Sequence, residues 1–357
     1  MSKRQTLLVG SLPFENEEAA MIQALETLGE SLFSLPDGEI GEKSEAYPVG
    51  KRAAWVMSSI DICAADTENW EITKKSVRAE NGFPNNYVNL DRLRPKHSPN
   101  RMKEHLNFRY HEYFQTSYPI FQKLREQKGL NDLKFQVGIP TGLGITFCML
   151  SPINAFRYNK VFNSRIAYEV NEILNQAGED VLVQIEIPAE LALVYKLPKA
   201  LVNIALNSIF DLVRQLNPIG KIGLHLCFGD LNNLPITHAK TLNKMVYFIN
   251  QLIKKWPKTH ELSYIHFPLA EAKTPPPLEK SYYEPLKQIQ LPEEIRFIAG
   301  FVHEKRSIEE LQQILSHIEE VRNQQVDVAC SCGLGRRSTE VGTKLLELTQ
   351  QLCSTDQ

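Results

Sequence analysis

Two apolar runs in this chain end in side chains that bind metals. The first reads Lys221-Ile222-Gly223-Leu224-His225-Leu226-Cys227 and sets an imidazole two residues before a thiol. The second ends Asp327-Val328-Ala329-Cys330-Ser331-Cys332-Gly333-Leu334-Gly335. Side chains two apart on a strand share a face, so His225 and Cys227 aim at one point beyond their strand. Cys332 approaches that point from another strand. Cys330 competes with it, since both lie on one side of an extended strand, and the Gly333-Leu334 that follows favours Cys332. Imidazole and thiolate are the ligands zinc prefers, and three protein ligands with an open position describe a catalytic site better than a structural one. The chemistry implied is that of a zinc centre that takes up a thiol.

Such ligands need a framework that holds strand ends side by side. Eight short apolar runs read as strands, at residues 6–12, 32–36, 134–139, 181–187, 221–227, 262–267, 296–302 and 326–330. Helical periodicity runs between them, over Glu17–Leu28, Ala200–Leu216, Thr241–Lys255, Ser307–Arg322 and Ser338–Leu352. Ser307 with Glu310 three residues on forms a capping box. Alternating strands and helices argue for a parallel α/β sheet. Eight such units in 357 residues fit a closed (βα)8 TIM barrel, one domain over 1–357. Between the second and third strands, residues 43–130 are too long for a simple crossover. A helix over Lys51–Ile60, a polar stretch over Glu80–Arg101 and a long helix over His105–Lys128 are expected there, covering one mouth of the barrel. Three consecutive prolines from Pro275 exclude regular helix or strand between Thr274 and Pro292.

Bulk properties narrow the partners. The net charge of −2, with acids and bases interspersed, gives no electrostatic reason to expect a nucleic acid or an anionic membrane. No apolar stretch approaches the ~18 uncharged residues of a membrane-spanning helix. Met1-Ser2-Lys3-Arg4-Gln5 leads straight into Thr6-Leu7-Leu8-Val9 without the apolar core of a signal peptide, so a cytoplasmic location is expected. Six cysteines in a chain this long do not make a disulfide framework, and Cys63, Cys148 and Cys353 read as plain thiols.

In a barrel of this kind catalytic side chains come from the C-terminal strand ends. Those ends carry Gly10-Ser11, Pro36-Asp37-Gly38-Glu39, Pro140-Thr141-Gly142, Gln184-Ile185-Glu186, His225 with Cys227, His266, His303-Glu304, and Cys330 with Cys332. A buried polar group without a partner costs ~1–3 kcal/mol, so eight polar ends argue for a site rather than for packing. Glu186 lies inside an apolar strand and demands a function or a buried partner. His303 is a candidate general acid or base, with a structural histidine as the competing reading. Arg336 and Arg337 are candidates for anion binding, against a solvated pair flanking a helix.

Five blocks, in order, resemble the catalytic C-terminal barrel of cobalamin-independent methionine synthase, within the superfamily that includes uroporphyrinogen decarboxylase. They are Val9-Gly10-Ser11-Leu12-Pro13, Asp37-Gly38-Glu39, Gln184-Ile185-Glu186-Ile187-Pro188-Ala189, His225-Leu226-Cys227 and Cys332-Gly333-Leu334-Gly335-Arg336-Arg337. The resemblance implies zinc held by His225, Cys227 and Cys332. It implies that Ser11, Glu39 and Glu186 hold the amino and carboxylate groups of a small thiol, homocysteine by default. The activity implied is methyl or alkyl transfer to that thiol from a folate or corrinoid donor, in methionine biosynthesis. The chain departs from the family at three places. The family's fourth ligand, a Glu ending the sixth strand, is replaced by His266, which stands between a fourth ligand and a hydrogen-bonded histidine of the mouth. Ile187 replaces a second acid on the fourth strand, and His303 stands near a family Asp. The full-length enzyme has a second, N-terminal barrel that contributes to folate binding; one barrel is read here, which leaves the donor open. The rival readings are a decarboxylase-type lyase of the same superfamily and a metal- or ligand-binding barrel without turnover.

Overall fold

A computed structural model describes residues 3–354 apart from 54, 80, 81 and 85. The parts of the Lys51–Ile60 and Glu80–Arg101 readings that fall on those four, like Met1-Ser2, lie outside the described residues. The strands are β1 (Thr6–Leu7), β2 (Ser34–Pro36), β3 (Trp70–Lys74), β4 (Arg92–Pro95), β5 (Lys134–Pro140), β6 (Val181–Glu186), β7 (Lys221–His225), β8 (Leu262–Pro268), β9 (Arg296–Val302) and β10 (Asp327–Cys330). The α-helices are α1 (Glu17–Leu28), α2 (Trp55–Ala65), α3 (Pro99–Met102), α4 (Tyr110–Lys128), α5 (Gly142–Met149), α6 (Pro152–Ala177), α7 (Pro188–Lys196), α8 (Val202–Val213), α9 (Asn243–Lys255), α10 (Ile308–Arg322) and α11 (Thr339–Ser354).

Eight strands form one parallel sheet in the order β1-β10-β9-β8-β7-β6-β5-β2. A parallel bridge from Thr6 to Leu32 joins the two ends of that order and closes the ring. With helices between the strands, the fold is an α/β TIM barrel, as the eight apolar runs implied. The strands read as apolar throughout because both faces are covered, one by helices and one by the barrel's own filling. Ser307 and Glu310 make the expected capping box at the start of α10. The 43–130 segment holds α2, α4 and an element absent from the sequence reading, the antiparallel hairpin β3–β4. Its polar outer residues, such as Glu71 and Arg94 in a bidentate pair, hid the strand pattern. Between Thr274 and Pro292 there are only 3₁₀ turns. Among the described residues no helix is long and apolar enough to cross a membrane.

The filling of the barrel is layered, and the layers follow from the two-residue period of a strand. Leu7, Leu182, Tyr264, Ile298 and Ala329, from five strands, make a small apolar plug. Gly223 on β7 leaves the space that the Tyr264 ring fills; a Cβ there would stand 2.1 Å from its Cζ. One step up come amides. Gln136 Nε2 donates to Leu8 O (2.8 Å) and Val9 O (3.1 Å), and Gln184 Nε2 also reaches Val9 O. Ser34 Oγ donates to Gln136 Oε1 (2.7 Å) and Tyr264 Oη to Gln184 Oε1 (2.8 Å). These side chains take the carbonyls that a sheet neighbour would otherwise take, which is why β1 ends at Leu7 rather than at residue 12. Another step up stand Glu186, His225 and His266, in neighbouring register across β6, β7 and β8.

Behind the barrel mouth, Glu190 in the first turn of α7 is fully buried. Its Oε1 accepts from Thr141 Oγ1 (2.5 Å) and Ser208 Oγ (2.8 Å). Burial raises its pKa to about 7, from 4.5. In the window between those values the unfolded chain releases this proton and the folded one keeps it, so stability falls as pH rises. Glu190→Gln removes the ionisation and keeps the acceptor. Relative to the parent, urea unfolding of this variant should show a difference near zero at low pH. The variant should be the more stable by roughly 2–4 kcal/mol once the window is passed. A difference independent of pH would refute the assignment.

Candidate metal centre

The mouth of the barrel gathers three of the residues read from sequence. One ligand atom each from His225, Cys227 and Cys332 lies within 4.8 Å of the other two. The Cys227 and Cys332 sulfurs are 3.5 Å apart. His225 ends β7, and Cys227 follows on the same face just beyond it. Cys332 arrives from the loop after β10, where the chain is pressed onto Ser11. Leu334 N (2.6 Å) and Gly335 N (3.1 Å) donate to Ser11 O. A Cβ on Gly333 would stand 2.4 Å from Ser11 Oγ, so the Cys-Gly-Leu-Gly sequence is a condition of that close approach.

His225 Nε2 is buried and has no protein partner, although its other nitrogen is engaged. The nitrogen and the two sulfurs make a borderline-soft donor set of the kind that suits zinc, and an orphaned imidazole nitrogen beside it is what a metal would satisfy. Burial, the neighbouring His266 and Arg336 all hold His225 neutral, the state in which it ligates. The Cys227 thiol is pushed well up by its hydrogen bond to Cys332 and by burial, the mark of two sulfurs sharing a proton where a cation would replace it. Gly229 N donates to Cys227 Sγ (3.2 Å) and Arg336 Nη2 to Cys332 Sγ (3.6 Å), so each sulfur has an outer donor.

His266, expected as a fourth ligand, does not join this cluster. It lies behind His225, with its Nδ1 2.8 Å from His225 Nδ1 and its Nε2 2.9 Å from Cys330 O. Cys330 contributes that carbonyl, and its thiol, raised to about 12 by burial, is not in the cluster. His303 is buried after β9, its Nδ1 accepting from Lys305 N (3.2 Å), and is not among the side chains lining the cleft.

The cleft beside the cluster is lined by Ser11, Glu39, Glu186, Cys227, Cys332 and Arg336, together with Ala53, Trp55, Val56 and Tyr87 from the 43–130 segment. Glu39 follows Gly38 in a turn where both have positive φ, +49° and +89°. Its carboxylate lies in a slot between two glycines, for a Cβ on Gly10 or on Gly138 would come within 2.6 Å of Oε1. Glu186 Oε1 borders the same slot, 3.3 Å from the Gly138 Cβ position, while its Oε2 accepts from Trp55 Nε1 at 2.7 Å. Burial and the facing Glu186 push Glu39 well above the usual carboxylate range. Burial raises Glu186 too, against the stabilising Trp55 and Arg336. Asp37 has a different task. It binds Arg52 (2.7 Å) and Ser117 Oγ (2.7 Å) and so pins the covering segment to β2. Arg336 is held by Asp230 (3.2 Å) and Ala53 O (2.6 Å), and Arg337 pairs with Glu304 and Asp230, so neither is a free anion site. Trp55 and Tyr87 were missed in the sequence because an aromatic in a helix or loop carries no signal of the partner it will meet.

Fold and site together define an α/β barrel with a nitrogen–sulfur cluster at the mouth formed by its strand ends. No protein-family model and no curated protein matches the chain. Among solved structures it is similar to a B12-independent methionine synthase from Shewanella sp. W3-18-1 in complex with selenomethionine. The match has a TM-score of 0.59 and 12% identity and covers 99% of both chains. The fold is that of the barrel the sequence blocks resemble.

Trp55 gives the carboxylate pair an optical reporter. Its fluorescence should titrate with a midpoint above 4.5, the unshifted carboxylate value. The transition should vanish in Glu186→Gln and move to lower pH when an organic ammonium ion binds. A midpoint at or below 4.5, or a transition that survives Glu186→Gln, would show that the pair is not strained in this way.

Proposed function

We propose that this chain is a zinc-dependent transferase that alkylates the sulfur of a small amino-acid thiol, homocysteine by preference, in the manner of methionine synthase. The observation that carries the reading is the convergence of one ring nitrogen of His225 with Cys227 Sγ and Cys332 Sγ within 4.8 Å, beside two buried carboxylates. Zinc, when bound, would keep the substrate thiol deprotonated at neutral pH, where a free thiol of pKa ~8.5 is mostly protonated. The chain's own groups do the positioning. Glu39 and Glu186, crowded against each other, gain a counter-ion when an ammonium group enters. Ser11 Oγ already accepts from Gly335 N (3.3 Å) and Arg336 Nη1 (3.3 Å), which directs its own O–H toward a substrate carboxylate. The similar solved structure holds selenomethionine, an amino acid with the same ammonium and carboxylate groups.

Chain 1–357 is taken as one domain whose 43–130 segment walls the donor side, through Trp55 and Tyr87. The methyl donor is a folate or a corrinoid. A tetrapyrrole decarboxylase reading fits less well. The arginine that lines the cleft, Arg336, is already paired with Asp230 and is not free for the carboxylates of such a substrate.

Protein purified without chelator should carry about one zinc per chain, and Cys227→Ser and Cys332→Ser should each lose most of it. Product formation from homocysteine with methylfolate or methylcorrinoid should fall by at least ~100-fold in the same variants. Zinc-free parent protein, with activity unchanged in Cys227→Ser, would overturn the proposal.

A further inference from the structure

His266 is the one strand-end residue where the chain departs from the ligand set it resembles, and its surroundings are specific. Its ring spans from His225 to the backbone at the end of β10. Opposite it, β9 carries Gly300, where a Cβ would stand 2.3 Å from His266 Nε2. The missing side chain opens the slot through which Nε2 reaches Cys330 O at 2.9 Å. Leu226 N donates to His266 O (3.2 Å), which fixes the two strands at this level.

A carbonyl oxygen only accepts, so His266 Nε2 must carry a proton. His266 is fully buried and its ring nitrogens bond a second imidazole and a carbonyl rather than a carboxylate, so the ring has no counter-ion and is neutral, with a lone pair on Nδ1. The 2.8 Å contact then requires His225 Nδ1 to be the donor. That leaves a lone pair on His225 Nε2, the buried and otherwise unpartnered nitrogen, which is the one that His266 leaves free for the cluster. We infer that His266 is a positioning residue rather than a metal ligand: it relays the polarity of the Cys330 carbonyl to His225 and fixes the tautomer that presents Nε2 to the metal. The protein would then supply one nitrogen and two sulfurs, and the remaining coordination is left to substrate or water.

This rests on the zinc reading, but the two fail in different experiments. Long-range ¹H–¹⁵N spectra of the metal-free protein should show His225 protonated at Nδ1 and His266 at Nε2. Zinc X-ray absorption on the loaded protein should count two sulfurs and one imidazole. His266→Gln, whose amide both accepts and donates, should keep the zinc affinity within a few-fold. His266→Leu should weaken it by ~10–100-fold, as loss of an outer partner does. Two imidazoles at the metal, a His225 protonated at Nε2, or full affinity in His266→Leu would overturn the inference. Absence of zinc from the parent would count against the proposed function, and the metal-free tautomers would still decide the role of His266. If the leucine variant does not fold, those spectra and the coordination count stand alone.

Discussion

Everything at the mouth stands on a hydrogen-bonded floor inside the barrel. A closed sheet of eight strands has an interior that side chains must fill, and any polar atom placed there must find a partner in the same layer. Gln136 and Gln184 meet that condition by turning their amides onto the carbonyls of Leu8 and Val9. The bonds release the chain from the sheet after Leu7, so that Gly10 and Ser11 lie across the mouth instead of continuing upward as a strand. Ser11 then receives the loop that carries Cys332. The third member of the cluster is thus set by two glutamines that lie outside it, through the path of a strand that ends early.

A second constraint is charge. Two carboxylates, two thiols and two imidazoles are drawn close together, and burial disfavours the charged forms of Glu39, Glu186, His225, His266 and Cys227. The structure distributes the strain unevenly. Arg336 faces both the Cys332 sulfur and Glu186, Asp230 anchors Arg336, and Trp55 gives Glu186 a neutral donor. Glu39 receives the least help and is the group pushed furthest among the carboxylates of the cleft. Such a site gains most from cations, and the two positions short of positive charge are the sulfur cluster and the carboxylate slot. A metal and an organic ammonium are the cations whose chemistry fits those two places.

Much of this was legible in the sequence because its signals are local. A strand's two-residue period ties His225 to Cys227, apolar runs mark the eight strands, and the Gly333-Leu334 that follows Cys332 sets it ahead of Cys330. What could not be read was set by partners far along the chain. Whether His266 ligates depends on Gly300 and on the carbonyl of Cys330, neither of which is visible from Tyr264-Ile265-His266-Phe267-Pro268. The length of β1 depended on amides more than a hundred residues away. The hairpin β3–β4 lies on the outside of the covering segment, where exposed Glu71 and Arg94 replace the apolar face by which strands are recognised. Trp55 sat in a predicted helix as one more apolar residue until Glu186 gave its N–H a partner.

A neutral histidine in place of a carboxylate also changes what the centre can do in the proposed reading. Two thiolates and a carboxylate would leave a divalent ion with a net negative set of protein ligands; two thiolates and one imidazole leave it neutral. A thiolate bound to a neutral centre keeps less electron density on sulfur than one bound to an anionic centre, and is the poorer nucleophile. The guanidinium of Arg336 at Cys332 acts in the same direction by withdrawing charge from a ligand sulfur. The compensation is access, because a ligand withdrawn to the second row leaves a coordination position that no protein group needs to vacate when the substrate thiol arrives. In the proposed reading, then, reactivity of the bound sulfur is exchanged for ease of binding it.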